Sequence, residues 1–84
     1  MADVWDIARY VESHPDDCEQ RWRLAKHLYQ SMEYRIALEH LQVLKNEQPD
    51  KLNMRRYLAA TYFRLTRYSN AATELREAIE GWQE

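Results

Sequence analysis

Apolar residues along this chain recur at spacings of three and four, which is the pattern of amphipathic helices. The pattern predicts a first helix over residues 3–13, which Pro15 ends because proline disfavours helical geometry in the residue before it. The apolar face of this helix comprises Val4, Ile7, Ala8 and Val11. A cap at Asp16 or Asp17 is expected to begin the next helix, and Asp17 with Gln20 has capping-box spacing. The remaining helices are predicted over residues 18–29, 34–47, 52–65 and 68–83.

The apolar pattern occurs twice, and one constant displacement, which we call the repeat interval, brings the two copies into register. The aligned pairs are Leu24 with Leu58, Ala25 with Ala59, Leu28 with Tyr62, Tyr34 with Tyr68, Ala37 with Ala71, Leu41 with Leu75, Leu44 with Ala78 and Pro15 with Pro49. A fixed period as long as the separation between Leu24 and Leu58 indicates stacked units, each built of a helix, a turn and a second helix. Alanines recur where the two helices of a unit would cross, and small side chains there allow a close approach. We expect Ala25 with Ala37, and Ala59 with Ala71, to form these crossings.

This repeated pattern resembles the tetratricopeptide repeat family. With Cys18 and Leu52 as first positions, the matching residues are Leu24, Ala25, Leu28, Ala37, Leu41, Pro49, Leu58, Ala59, Tyr62, Ala71, Leu75 and Ala78. The resemblance implies an all-α fold, a right-handed superhelical stack of antiparallel helix pairs with five helices. It divides the single domain, residues 1–84, into a leading capping helix at 1–14, one repeat at 18–51 and a second at 52–84. The family often has glycine where Met32 and Thr66 stand, so the turns are where this sequence departs from it.

Composition narrows the class of protein but not its ligand. The net charge is −2, there is a single cysteine, and no stretch is apolar enough to predict a membrane span or a signal peptide. One cysteine cannot form an internal disulfide, which fits a reducing compartment. We therefore expect a soluble, cytoplasmic, all-α domain that does not bind nucleic acid or membranes.

Charge is distributed unevenly between the helices. The leading helix of each unit is basic and the trailing helix is acidic. In the family that the chain resembles, leading helices line a concave groove, which implies an aromatic and basic groove here. Its expected peptide-binding residues are Trp22, Arg23, Lys26, Tyr29, Arg56, Tyr57, Phe63 and Arg64. Aromatic side chains and arginines are typical of binding hot spots, and guanidinium groups pair with carboxylates. The expected partner is a peptide or helix segment of another protein, with an acidic segment fitting best.

Other interpretations of these residues stay open. Tyr29 and Phe63 could be packing residues beside a solvated basic face, and the repeats could instead build a homo-oligomer. About three units are usually needed for a stable stack, whereas this chain has two units and the capping helix at 1–14. Trp5 and Trp82 lie near opposite ends, so self-association or a longer parent chain would cover them. One family variant holds terminal carboxylates with Lys and Asn, but Trp22, Lys26 and Tyr57 occupy the corresponding positions, so that clamp is absent.

The sequence offers no pattern for catalysis. His14, His27 and His40 are evenly spaced, but the interval between them is not one that metal ligands use. Cys18 is placed in the first turn of a helix, where the helix dipole favours the thiolate, but no histidine–acid pair accompanies it. The acidic pairs Asp16/Asp17 and Glu74/Glu77 are interpreted as a helix cap and a solvated face. We therefore expect a protein that is not an enzyme and that has no cofactor and no metal site.

Overall fold

The computed structural model describes residues 4–48 and 51–81, and within those ranges the chain is helical, without a strand. The helices are α1 (Val4–Ser13), α2 (Cys18–Gln30), α3 (Tyr34–Glu47), α4 (Leu52–Arg64) and α5 (Tyr68–Gly81). The predicted all-α class and the five helices are therefore confirmed. Asp3, Pro49 and Trp82, on which parts of the predicted pattern fall, lie outside the described residues.

Each helix packs against the next one in the chain, from α1 on α2 through α4 on α5. A smaller contact joins α2 to α4, so the leading helices of the two units lie side by side. This contact matters for function, because the residues predicted to bind a peptide are carried by those two helices.

The core is a single cluster drawn from all five helices. Its largest fully buried apolar side chains are Leu24, Leu41, Leu44 and Leu58. The alanines predicted at the helix crossings, Ala25, Ala37, Ala59 and Ala71, are all buried as well. Small side chains at these points leave no room for a larger residue without moving a helix.

Helix α2 begins at a cap formed by Asp17. The Asp17 Oδ1 atom accepts a hydrogen bond of 3.2 Å from the backbone N–H of Gln20. The side chain of Tyr10 on α1 donates to the other carboxylate oxygen of Asp17 at 3.0 Å. Of the two candidate caps, Asp17 is therefore the one used, and it also links α1 to the start of α2.

The turn between α2 and α3 has Met32 in the left-handed region, with φ of 64°. The backbone N–H of Glu33 donates to the Leu28 carbonyl at 2.8 Å, and that of Met32 donates to the Tyr29 carbonyl at 3.1 Å. This pair of bonds is a Schellman motif, which usually places glycine at the left-handed position. A non-glycine residue there costs about 1 kcal/mol or more.

The turn between α4 and α5 repeats this geometry one repeat interval later. Thr66 has φ of 60°. The N–H of Arg67 donates to the Tyr62 carbonyl at 2.8 Å, and that of Thr66 donates to the Phe63 carbonyl at 3.0 Å. The sequence departs from the usual glycine at both turns, and both turns nevertheless close in the same way.

Glu74 corrects one prediction made from the sequence. The pair Glu74/Glu77 is expected on a solvated face, but Glu74 is only 5 % exposed. It is placed on α5 between the buried residues Ala71 and Ala78 at helical spacing, and therefore points inward. The apolar pattern marked Leu75 as buried instead, whereas Glu74 is the residue that is buried in the structure.

Ion pairs explain how this buried carboxylate is accommodated. Lys45 Nζ on α3 lies 2.6 Å from Glu74 Oε1, and Arg55 Nη1 on α4 lies 3.5 Å from Glu74 Oε2. Glu77 Oε2 lies 3.5 Å from the same two cationic atoms. The hydrogen bond to Glu74 raises the pKa of Lys45, so the lysine stays charged. These four residues, which we call the ion-pair network, join α3, α4 and α5.

The outer face of α5 is only partly covered. Ala71 and Ala78, which the repeat aligns with Ala37 and Leu44, are buried, but Leu75 is 48 % exposed and Ile79 is 71 % exposed. Leu41, which aligns with Leu75 in the other unit, is fully buried on α3, and α4 packs against α3. Within the described part of the chain, no helix follows α5 to cover Leu75 in the same way.

Candidate functional site

The predicted peptide-binding residues come from the matching faces of α2 and α4. Trp22, Lys26 and Tyr29 recur on α2 at spacings of four and three, which places them on one face of that helix. Tyr57 and Arg64 lie two helical turns apart on α4, in the same relation as Trp22 and Tyr29. Since α2 and α4 are in contact, these two faces meet.

Aromatic rings connect the two helices. Trp22 and Tyr57 meet edge to face, with ring centroids 5.0 Å apart and an interplanar angle of 85°. Tyr57 then meets Tyr29 at 5.4 Å, and Tyr29 meets Tyr34 of α3 at 5.4 Å, both again edge to face. We call Trp22, Tyr57, Tyr29 and Tyr34 the aromatic row. Each edge-to-face pair contributes about 0.5–1.5 kcal/mol beyond its buried area, so the row holds its side chains in place before any ligand binds.

Two cations flank the aromatic row. Lys26 Nζ lies 5.1 Å from the centroid of the Trp22 ring, within range of a cation–π interaction. Arg64 forms a side-chain hydrogen bond with Tyr29, which raises the pKa of the guanidinium, and the electrostatic influence of Tyr34 acts in the same direction. Arg64 thus remains charged at neutral pH, and both cations lie next to half-buried rings.

An open cavity of about 470 Å³ lies beside the row. Its lining comprises Tyr29, Asn53, Arg56, Tyr57 and Ala60. The guanidinium-bearing Arg56 is exposed, whereas Tyr29 and Tyr57 are half-buried. An entering chain would therefore meet an arginine at the surface and aromatic rings beneath it. We call the aromatic row, its two flanking cations and this cavity the aromatic–cationic groove.

Two predicted residues lie outside this arrangement. Arg23 is exposed and lines a smaller depression of about 200 Å³ with Lys26, His27 and Gln30. Phe63 is 58 % exposed and packs edge to face on Tyr68 of α5, with centroids 5.2 Å apart. This pair occupies the positions of Tyr29 and Tyr34 one repeat interval later. Phe63 therefore extends the same surface toward the end of α4 and is not in contact with the aromatic row.

Tyr34 is the member of the row that sequence reasoning missed. Its alignment with Tyr68 identifies it as a repeated landmark, and such landmarks are interpreted as core. In the structure it is half-buried and directly contacts Tyr29. The repeated tyrosine at the start of each trailing helix is the signal that could have placed it at the groove.

Cys18 corrects the expectation based on the helix dipole. The Cys18 thiol donates a hydrogen bond to Glu47 Oε2 at the end of α3. That hydrogen bond, then burial and the negative charge of Glu47, raise the pKa of Cys18 above its ordinary value. Cys18 is thus a protonated thiol at neutral pH, because a neighbouring carboxylate outweighs the dipole of α2.

The described residues provide no grouping of three His, Cys, Asp or Glu side chains that could hold a metal ion. None of the described helices combines the length and the apolar character that a membrane crossing needs. Comparison of the sequence with models of known protein families gives no match, and comparison with curated proteins gives none either.

Proposed function

We propose that the chain is a non-catalytic protein–protein interaction module of the tetratricopeptide repeat type. Its aromatic–cationic groove binds an acidic peptide or helix segment of a partner protein. The observation that carries this proposal is the aromatic row, which joins α2, α3 and α4 and is flanked by Lys26 and Arg64.

The chemistry of the groove fits an acidic ligand. Half-buried aromatic rings provide contact area, and those of Trp22, Tyr29 and Tyr57 are already fixed by one another. Binding therefore costs less side-chain ordering than it would for isolated rings. Arg56 at the rim of the cavity can form two parallel hydrogen bonds with one carboxylate, which gives orientation as well as attraction.

The repeat type is supported by features that recur at the repeat interval. The two turns share left-handed residues and the same hydrogen bonds, and each unit has an edge-to-face aromatic pair at its turn. A stack of this kind would coil into a right-handed superhelix with leading helices on the concave side. We place the module in the cytoplasm, where a single cysteine with a protonated thiol would stay reduced.

Charge reversal in the groove tests the proposal. A partner is first recovered with the wild-type chain and purified, and its affinity is then measured by isothermal titration calorimetry. The double variant K26E/R56E is expected to weaken binding at least tenfold. The matched control R35E reverses one exposed arginine on α3, outside the groove, and is expected to change the affinity less than twofold. Equal affinity of the K26E/R56E variant and the wild type would refute groove binding.

The alternative function is self-association, and the exposed face of α5 favours it. Leu75 is half exposed although its repeat equivalent Leu41 is fully buried, and Trp5 at the other end of the chain is 57 % exposed. A second copy of the chain would cover these side chains. Sedimentation at two protein concentrations distinguishes the functions. A mass that rises with concentration and returns to the monomer in the L75E/I79E variant supports self-association, whereas a monomer throughout excludes it.

A further inference from the structure

A second open cavity, of about 630 Å³, lies at the other end of the chain from α5, where α1, α2 and α3 meet. Its lining includes Trp5, Arg9, Glu12, Pro15, Arg21 and His40. None of these side chains belongs to the aromatic–cationic groove. We call this cavity the Arg21 cavity.

The Arg21 guanidinium contacts neutral groups within the described part of the chain. Its Nη1 atom lies 3.0 Å from Nδ1 of His40, and its Nη2 atom donates to the Pro15 carbonyl at 3.3 Å. Its Nε atom is buried and has no hydrogen-bond partner among the described residues. A partly buried guanidinium with an unused donor is an unusual arrangement, because buried polar groups normally find partners.

The second unit shows what accompanies the arginine at the equivalent position. One repeat interval separates Arg21 from Arg55, and the same interval separates His40 from Glu74. Arg55 Nη1 has Glu74 Oε2 and Glu77 Oε2 within 3.5 Å. Both units thus keep the arginine, but only the second supplies these carboxylates to balance it. The first unit has an imidazole where the second has its buried acid.

His40 does not replace that negative charge. Burial lowers the pKa of His40, and the positive charge of Arg21 lowers it further, so the imidazole is neutral at pH 7. A neutral imidazole can accept one hydrogen bond from Arg21 through Nδ1, but it brings no negative charge to the guanidinium. Arg9 and Glu12 add one charge of each sign to the lining, so the cavity keeps a net positive charge.

The remaining wall of the cavity is apolar. Trp5 exposes more than half of its surface, and Ala8, Val11 and Pro15 lie around it. A carboxylate attached to an organic chain can therefore pair with Arg21 and still rest its neighbouring atoms on apolar surface. A free inorganic anion would use only the charged part of the cavity.

We propose that the Arg21 cavity is a second binding site, which takes a glutamate or aspartate side chain from an extended peptide segment of a partner protein. The incoming carboxylate pairs with Arg21 as Glu74 pairs with Arg55 in the ion-pair network. An apolar side chain next to the acid in that segment packs on Trp5. The site is independent of the aromatic–cationic groove, since it uses different side chains on a different face of the stack.

Peptide selection with counter-selection tests this proposal. A random heptapeptide display library is bound to the wild-type chain, and binders to the variant H40E are removed. In this variant the protein itself supplies the carboxylate that the peptide would otherwise bring to Arg21. The substitution reproduces the Arg55–Glu74 pair of the second unit, so the fold is expected to persist. The retained peptides are expected to carry Asp or Glu next to an apolar residue. Their absence would overturn the proposal.

The retained peptides are then synthesised and their affinity is measured by fluorescence anisotropy. Affinity is expected to fall at least tenfold for the variants H40E and R21Q, and for a peptide whose acid is replaced by its amide. It is expected to stay within twofold for R56E, which changes only the groove. Circular dichroism verifies that each variant is helical, and the amide peptide decides the question if R21Q does not fold. A loss of affinity with R56E, or equal binding of the amide peptide, would contradict the site.

Discussion

The ion-pair network gives the most quantitative prediction about stability, because its central carboxylate is buried. The variant E74Q keeps the size of the side chain and removes its charge. Lys45 Nζ then loses a charge-assisted contact of 2.6 Å, and Arg55 loses the partner at 3.5 Å. Hydrogen bonds to charged groups contribute about 1.5–3 kcal/mol each, and breaking a buried pair costs about 3–5 kcal/mol.

Two features reduce that cost. The Lys45 side chain is partly exposed, so water solvates it when its partner is removed. Glu77 also remains within 3.5 Å of both cations and compensates part of their charge. We therefore expect E74Q to lower the free energy of unfolding by about 2–3 kcal/mol. The variant E77Q removes the more exposed acid of the network and is expected to cost less than about 1 kcal/mol.

Urea denaturation followed by circular dichroism measures both variants against the wild type. For a domain of this size, each kcal/mol shifts the melting temperature by about 4–8 °C, so E74Q should also melt far below E77Q. An equal loss of stability in the two variants would show that the buried position of Glu74 has no energetic role, and the reasoning about the network would be wrong.

The same network predicts how stability depends on pH. The pKa of Lys45 is raised in the folded state. The contribution of Lys45 to folding stability is therefore complete below the ordinary lysine pKa of 10.5, and it is lost as pH rises through the higher pKa of the folded state. Wild-type stability should therefore decline above about pH 10.5 more steeply than that of E74Q. Parallel declines in the two proteins would contradict this linkage.

Further predictions concern single positions. The variant M32G should raise the free energy of unfolding by up to about 1 kcal/mol, because glycine adopts positive φ freely. The control S31G, at a residue with φ of −88°, should lower the free energy of unfolding by a similar amount. Urea denaturation measures both variants, and a lower stability of M32G than of the wild type would refute backbone strain at Met32. The variant A25F should lower the free energy of unfolding by about 1–3 kcal/mol or more, because phenylalanine would overpack a fully buried position. Urea denaturation measures this loss, and unchanged stability would show that the helices are loosely packed at Ala25. Iodoacetamide should alkylate Cys18 slowly at pH 8, and E47Q should speed the reaction because the carboxylate raises the thiol pKa; equal rates in the two proteins would contradict that cause.

The sequence predicted the helices well because their pattern is local and is written twice. The apolar period gives the buried face of each helix without knowledge of its neighbours, and Leu24, Leu41 and Leu58 are buried as that period requires. The turns were harder to predict, since neither Met32 nor Thr66 is the glycine that such a turn favours. The repeat was the better guide to the turns, because these two equivalent positions adopt the same backbone geometry.

Side-chain partners could not be predicted in the same way. Cys18 meets Glu47, Lys45 meets Glu74 and Arg21 meets His40 only because helix packing brings residues that are distant in sequence together. Charges counted along each helix therefore predicted the wrong environment for Glu74. Phe63 shows the same limit, since its position in the repeat matches that of Tyr29, but Phe63 is exposed whereas Tyr29 also packs on Tyr57.

Tryptophan fluorescence tests the central claim most directly, because Trp22 belongs to the groove and the other two of the three tryptophans can be replaced. The variant W5F/W82F leaves Trp22 as the only reporter, and W22F/W82F leaves Trp5 at the Arg21 cavity. Titration with the purified partner is predicted to shift the Trp22 emission to shorter wavelength, with saturation at the affinity that calorimetry gives. Unchanged Trp22 emission at saturating partner would contradict binding in the aromatic–cationic groove.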